Sequence, residues 1–205
     1  MTDPIALHLL MTSEAATSVW NDALRLADGL SLAGVDIRLV VLGPAPDADQ
    51  RAQAARVANL TVIAQGDDLD GRAVTASDID LQGMRLAMLA AQERPDVVHL
   101  HAPAVAANAR FPCPLVVGAA SQVPRRGGDV GASQDASWHE GMSARGYASA
   151  DMVVAPTLAA AEALQSGGLL TPVRIIAPDS RTRISDTLAI YTELAAERRR
   201  RRVTA

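Results

Sequence analysis

Lysine is absent from this chain of 205 residues, and all nineteen basic residues are arginine. That reads first as a compositional habit of the source genome. Aromatic residues make up 2% of the chain, too few for the stacked platforms that grip single-stranded nucleic acid. Alanine, valine and leucine must therefore fill the core, which suits close packing of helices on a sheet. Cys113 is the only cysteine, so no internal disulfide can form and no cysteine cluster can hold a metal. Phe111-Pro112-Cys113-Pro114 offers no basic neighbour to activate the thiol. No window approaches the roughly eighteen uninterrupted apolar residues of a membrane span. Before the first apolar run stands Asp3 and no basic residue, the mark of a strand and not of a signal peptide. A soluble, cytoplasmic protein is the expectation.

Motifs for common cofactors are missing too. No Gly-x-Gly-x-x-Gly follows a strand and no Walker-type loop occurs, so no nucleotide cofactor is expected; without a His-x-x-x-His pair or a cysteine pair, neither is a metal. The formal charge is −4, of which Arg198 to Arg202 contribute +5, leaving −9 on the rest. Most of the surface therefore repels nucleic acid.

What the chain does contain is a globular balance of 49% hydrophobic and 20% charged residues, enough for one domain burying about 70% of its extended surface. Strand-length apolar runs alternate with segments of helical period, the pattern of βαβ units. Strands are predicted over Ile5–Leu10, Asp36–Leu42, Leu60–Ala64, Val97–His101, Leu115–Ala119, Met152–Ala155 and Val173–Ile176. Helices are predicted over Val19–Leu32, Asp47–Val57, Ile79–Gln92, Ala136–Ala148 and Thr157–Gln165, the last with Thr157 as N-cap. A final helix starts at Ser180 with Ile184, Leu188, Tyr191 and Leu194-Ala195 as its apolar stripe. The fold class is a single Rossmann-like, three-layer α/β domain with a mainly parallel sheet. It divides into the domain proper over residues 1–179, a terminal helix packing back on it over 180–197, and an arginine-rich tail over 198–205.

Two strands carry the most specific signal. Arg94-Pro95-Asp96-Val97-Val98-His99-Leu100-His101 and Ala150-Asp151-Met152-Val153-Val154-Ala155-Pro156-Thr157 are each entered through a polar turn and left at a polar edge. With Val19-Trp20, Val41-Leu42-Gly43-Pro44-Ala45-Pro46 and Arg145-Gly146-Tyr147-Ala148, in that order along the chain, the pattern resembles the acceptor-side half of the family 4 glycosyltransferases. The resemblance implies the GT-B fold, in which two Rossmann-like domains face each other and the second binds a nucleotide-sugar. It also implies a chain without that donor half but with the helix that crosses back, Leu188-Ala189-Ile190-Tyr191-Thr192-Glu193-Leu194. The family's paired donor-site glutamates lie eight positions apart; none of Glu14, Glu93, Glu140, Glu162, Glu193 and Glu197 pair that way. Thr17-Ser18 stand where the family has a Gly-Gly pair, and Ala120 stands where it has a histidine facing the reacting sugar. Alanine neither moves a proton nor hydrogen-bonds a hydroxyl.

The resemblance implies a substrate-binding edge built from Thr17, Ser18, His101, Ser121, Arg125 and Arg126, with His139 beside it; no catalytic residue is assigned. His101, at the carboxyl end of a strand, either hydrogen-bonds an acceptor or caps backbone groups in a turn. His99 is expected to pack against a helix and His8 to be a satisfied core residue. His139 either faces the cleft or is a solvated surface group. Arg125 and Arg126 beside Gly127-Gly128 either clamp a phosphate or stay solvated. The run Arg198–Arg202 either touches anionic lipid or forms a disordered solubilising tail. Two functions follow: the acceptor half of a glycosyltransferase, inactive alone, or a non-catalytic sugar- or partner-binding relic. The expected partners are a donor-domain protein or a second copy of the chain, and a sugar or lipid-linked acceptor.

Overall fold

A computed structural model describes residues 7–15, 18–65, 75–119 and 134–203. Seven strands, β1 (His8–Glu14), β2 (Asp36–Leu42), β3 (Leu60–Ala64), β4 (Val97–Leu100), β5 (Leu115–Gly118), β6 (Met152–Ala155) and β7 (Val173–Ile175), form one sheet. Every pairing is parallel, in the order β3-β2-β1-β4-β5-β6-β7. The helices are α1 (Ser18–Leu32), α2 (Ala48–Ala54), α3 (Ala76–Glu93), α4 (Gln134–Ser149), α5 (Leu158–Ser166) and α6 (Arg183–Val203). A 3₁₀ turn spans Pro103–Ala106. Parallel sheets need both faces covered. Leu9, Met11, Ile37, Leu39 and Val116 turn to the face covered by α1 and α6, whereas Leu10, Val40, Val98 and Val117 turn to the face of α3, α4 and α5. The fold is thus three-layered and Rossmann-like, as expected.

Element ends follow local chemistry. Thr157 caps α5 by accepting from the Ala160 amide at 3.1 Å. Asp47 with Gln50, and Thr75 with Asp78, make reciprocal capping boxes at α2 and α3. Gly34 ends α1 at φ +85°, with the amide of Gly34 on Ser31 O and that of Val35 on Leu30 O, a Schellman closure. Arg94 stops α3 in the left-handed region, at φ 51°, directly before Pro95.

The first strand lies at His8–Glu14, later than the expected Ile5–Leu10. Pairing with β2 and β4 sets its register: His8 lies opposite Asp36, and Leu9 opposite Val97. Apolarity alone does not carry that information, because Thr12 and Ser13 are polar yet buried. The arginine run is not a disordered tail. Helix α6 continues through it to Val203, where Arg199 bonds Asp96 at 2.8 Å, Arg198 reaches the Pro112 carbonyl, and Arg201 pairs with Glu197.

The aspartates of the two signature strands hold the amino ends of the sheet. Asp96 accepts from the His8 amide at 3.0 Å and Asp151 from the Leu115 amide at 2.8 Å, so each aspartate clamps the start of the neighbouring strand.

Candidate functional site

The chain adds β2 and β3 on one side of β1, then returns to place β4 on the other. This reversal creates a switch point between β1 and β4, and open α/β sheets bind ligands outside the carboxyl ends of their strands there. A cavity of about 80 Å³ lies at the carboxyl ends of β4, β5 and β6, on the face covered by α1 and α6, and is lined among others by Asp22, His99, His101, Gly118, Pro156 and Arg183.

His101 stands one residue past β4. Its amide donates to Thr12 Oγ1 at 3.0 Å and its ring Nδ1 lies 2.6 Å from the Thr12 carbonyl. The ring of His99 stacks on that of His101, with centroids 4.6 Å apart and 22° between planes. Behind His99, Tyr191 of α6 brings its hydroxyl within 2.5 Å of His99 Nδ1. His99 is 4% exposed and its Nε2 has no partner among the described residues. At the rim Arg183 of α6 makes two bonds to Asp22 of α1, at 2.8 and 2.6 Å, and Arg183 is only 12% exposed. This fork geometry is the strong form of a guanidinium–carboxylate pair. It joins residues 161 positions apart in sequence.

Burial holds both imidazoles neutral. It drives the pKa of His99 well below 6.5, and the neighbouring His101 and the Arg183 charge push the same way. Burial also lowers His101, outweighing the opposing pull of the Thr12 carbonyl and of Asp22. The Tyr191 phenol is pushed up by burial and stays protonated. These shifts fix a sign for acid stability. The folded state resists protonation of His99 and His101, whereas the unfolded chain takes up protons once the pH falls below 6.5. Unfolding free energy is therefore expected to be flat above about pH 7 and to fall as the pH drops below 6.5 toward the folded-state values. Urea titrations across that range check this, and equal stability at pH 7 and pH 5 refutes it.

Among the remaining expected site residues, only the side chain of His139 is described. Thr17, Ser121, Arg125 and Arg126 lie outside the described residues; Ser18 opens α1, but its side chain lies outside them as well. His139 is exposed on α4, its ring 5.6 Å from that of Trp138, and does not line the cavity. His8 is not the satisfied core residue that was expected: its Nε2 is buried without a partner among the described residues. Sequence reasoning missed Asp22, Tyr191 and Arg183. Tyr191 had the signal of an apolar-stripe residue only, and no spacing links Asp22 to Arg183.

A larger concavity of about 280 Å³ lies at the opposite, amino ends of the strands, bordered by Phe111, Cys113, Asp151, Leu194 and Arg198. Its thiol is pushed up to about 11 by burial and is unreactive at neutral pH. Among the described residues, no three His, Cys, Asp or Glu side chains come together to hold a metal ion, and no helix is long and apolar enough to cross a membrane.

Residues 19–178 match the model of Glycosyltransferase Family 4. No curated protein sequence matches the chain. Among solved structures, UGT73P12 of Glycyrrhiza uralensis complexed with glycyrrhetinic acid 3-O-monoglucuronide is similar at TM-score 0.57 and 11% identity, over 84% of this chain and 49% of its own. A UDP-N-acetylglucosamine 2-epimerase is similar at TM-score 0.58 and 16% identity, over 83% and 48%. UGT71G1 of Medicago truncatula complexed with UDP-glucose is similar at TM-score 0.57 and 10% identity, over 86% and 52%. At such identities the likeness is one of fold, and the chain spans about half the length of these structures.

Proposed function

Because the chain belongs to glycosyltransferase family 4, we propose that it supplies the acceptor-binding half of a GT-B-type glycosyltransferase. The observation that carries this reading is the hydrogen-bonding cavity at the carboxyl ends of β4, β5 and β6 in a chain matched by that family over residues 19–178. The hydroxyl groups of a sugar acceptor are uncharged, and neutral imidazoles suit them. The cation at the rim, Arg183, is already bound to Asp22 by two bonds, so a nucleotide diphosphate finds little to hold it there. A partner chain would bring the donor site.

A second reading, a non-catalytic sugar-binding relic, is favoured by one feature of the sequence. The resemblance to the family implies a histidine where this chain has Ala120, and an alanine takes no part in proton transfer.

Thermal unfolding of the purified chain with panels of free sugars, sugar phosphates and nucleotide-sugars tests both. A ligand at a hundred times its dissociation constant adds about 2.7 kcal/mol. Stabilisation by a sugar and not by nucleotide-sugars is the expected result. Stabilisation by a nucleotide-sugar overturns the acceptor-half reading, since the donor would then bind here. Sugar transfer upon mixing with a donor-domain protein separates the catalytic from the relic reading.

A further inference from the structure

Helix α3 is apolar on two sides. Its inner side, with Gly83, Leu86 and Ala90, packs on the sheet and the 3₁₀ turn. The outer side holds Leu81, Met84 and Met88, which are 38%, 54% and 64% exposed, and the exposed Ala91. At about 3.6 residues per turn these four form one stripe opposite the packed side. Exposed Leu32, Leu158 and Val203 stand singly on α1, α5 and α6, as scattered surface apolar residues commonly do. The stripe on α3 is different in kind, because its residues are contiguous.

Its spacing says what shape of surface covers it. Positions 81, 84, 88 and 91 alternate steps of three and four, the a/d repeat of a seam between two helices. Charge then says which helix. Asp80 and Arg85 flank the seam on opposite sides, at its g and e positions. In a parallel two-fold pair, a g residue of one helix meets the following e residue of the other. Asp80 of each copy would then lie beside Arg85 of the second copy, so the attraction is counted twice. Both groups are free to make it. Asp80 accepts from the Asn108 amide through Oδ1 at 2.8 Å and keeps Oδ2, while Arg85 has no partner among the described residues. An antiparallel pair instead brings the two Arg85 side chains together across the axis, a like-charge contact.

We propose that α3 is a contact surface for a second copy of this chain, with the two helices parallel about a two-fold axis. Leu81, Met84 and Met88 each face their own counterpart, and Asp80 pairs with Arg85 of the second copy. A two-fold contact needs a surface that complements itself, and this face does so in both apolar spacing and charge. The unbranched methionines adapt to fill the layers. Three partly exposed side chains fall short of the roughly 800 Å² per partner of a stable interface, so the association is weak and depends on concentration. The cavity lies on the α1 and α6 face and α3 covers the other, so the contact stands independently of the acceptor-half reading.

Sedimentation equilibrium of the full chain from about 10 µM to 1 mM tests it. The expected result is monomer at the low end and dimer at the high end. Met84→Glu and Met88→Glu should each stay monomeric throughout, whereas Leu158→Glu, on the exposed side of α5, should still dimerise. Asp80→Arg should weaken the dimer by about tenfold, and adding Arg85→Asp to it should restore the affinity. Under mild oxidation Met84→Cys should give disulfide-linked dimers and Leu158→Cys should not; the native Cys113 is buried. Thermal unfolding of each variant shows that lost association is not lost folding. A chain that stays monomeric at 1 mM overturns the proposal, and so does a dimer indifferent to Met84→Glu and Met88→Glu. Cross-linking of Met84→Cys to Met88→Cys in preference to Met84→Cys with itself overturns the parallel pairing. A monomeric chain that binds a donor-domain protein through this stripe gives the face to that partner and rules out the second copy.

Discussion

Replacing Tyr191 with alanine is expected to destabilise the chain by about 3–5 kcal/mol, the range for losing a large buried aromatic side chain. Tyr191 is 0% exposed and sits in the same cluster as Leu9, Met11, Trp20 and Val116. Its loss opens a void between α6 and the sheet that neither layer can close, because Ile184 is pressed against Gly29 at one end and Arg199 is tied to Asp96 at the other. For a domain of this size the melting temperature should fall by roughly 6–20 °C. Tyr191→Phe separates the two parts of the effect. It keeps the ring and removes only the hydroxyl, leaving His99 Nδ1 unpaired at about 1–3 kcal/mol. Urea unfolding of both variants is the measurement. A loss below about 1 kcal/mol for Tyr191→Ala would mean that α6 does not pack as described.

The second large effect is expected at Gly146. A Cβ there would run into the carbonyl of Pro103, with the Pro103 carbonyl carbon close behind. All are backbone atoms, so no rotamer change relieves the overlap, and α4 must lift off the 3₁₀ turn. That movement loosens Tyr147 in its core cluster and the Ser149 hydroxyl bond to the Ala106 carbonyl at 3.0 Å. Overpacking of this kind costs about 1–3 kcal/mol and more when backbone must move, so Gly146→Ala is placed at about 3 kcal/mol or above. Gly141 on the same helix is the control, since a Cβ there meets nothing within 4 Å. Gly141→Ala should stabilise by up to about 1 kcal/mol through helix propensity alone. Opposite signs for two identical substitutions in one helix isolate packing from propensity; equal effects would disprove the close approach of α4 to Pro103.

The two signature strands show how a legible motif differs from a functional one. Asp96 and Asp151 led to the family resemblance, yet both serve the amino ends of the sheet, where they accept from the backbone of the adjacent strand. Asp96 is held ionised there: burial works to raise its pKa, but the Arg199 bond and the His8 amide outweigh it. The residues at the ligand edge have no such local pattern. His101 was legible because it ends an apolar strand, a position with a general meaning in open sheets. His139 had only nearness to a loop to recommend it, and its helix turns it to solvent.

By itself, the sequence determined the alternation of strands and helices, because burying both faces of a parallel sheet requires apolar runs of one length and amphipathic stripes of another. It also set the helix stops at Gly34 and at Arg94-Pro95 and the cap at Thr157, where a single side chain or dihedral decides the outcome locally. Only the tertiary structure decided the register of β1, the fate of the arginine run, and the partners of the histidines. Each of these depends on groups brought together from distant positions: 92 residues separate His99 from Tyr191, 103 separate Asp96 from Arg199, and 161 separate Asp22 from Arg183. Hydrogen bonds act over a few ångströms in space whatever their separation along the chain. The chemistry of the cavity therefore came into being only when α6 folded back onto the sheet.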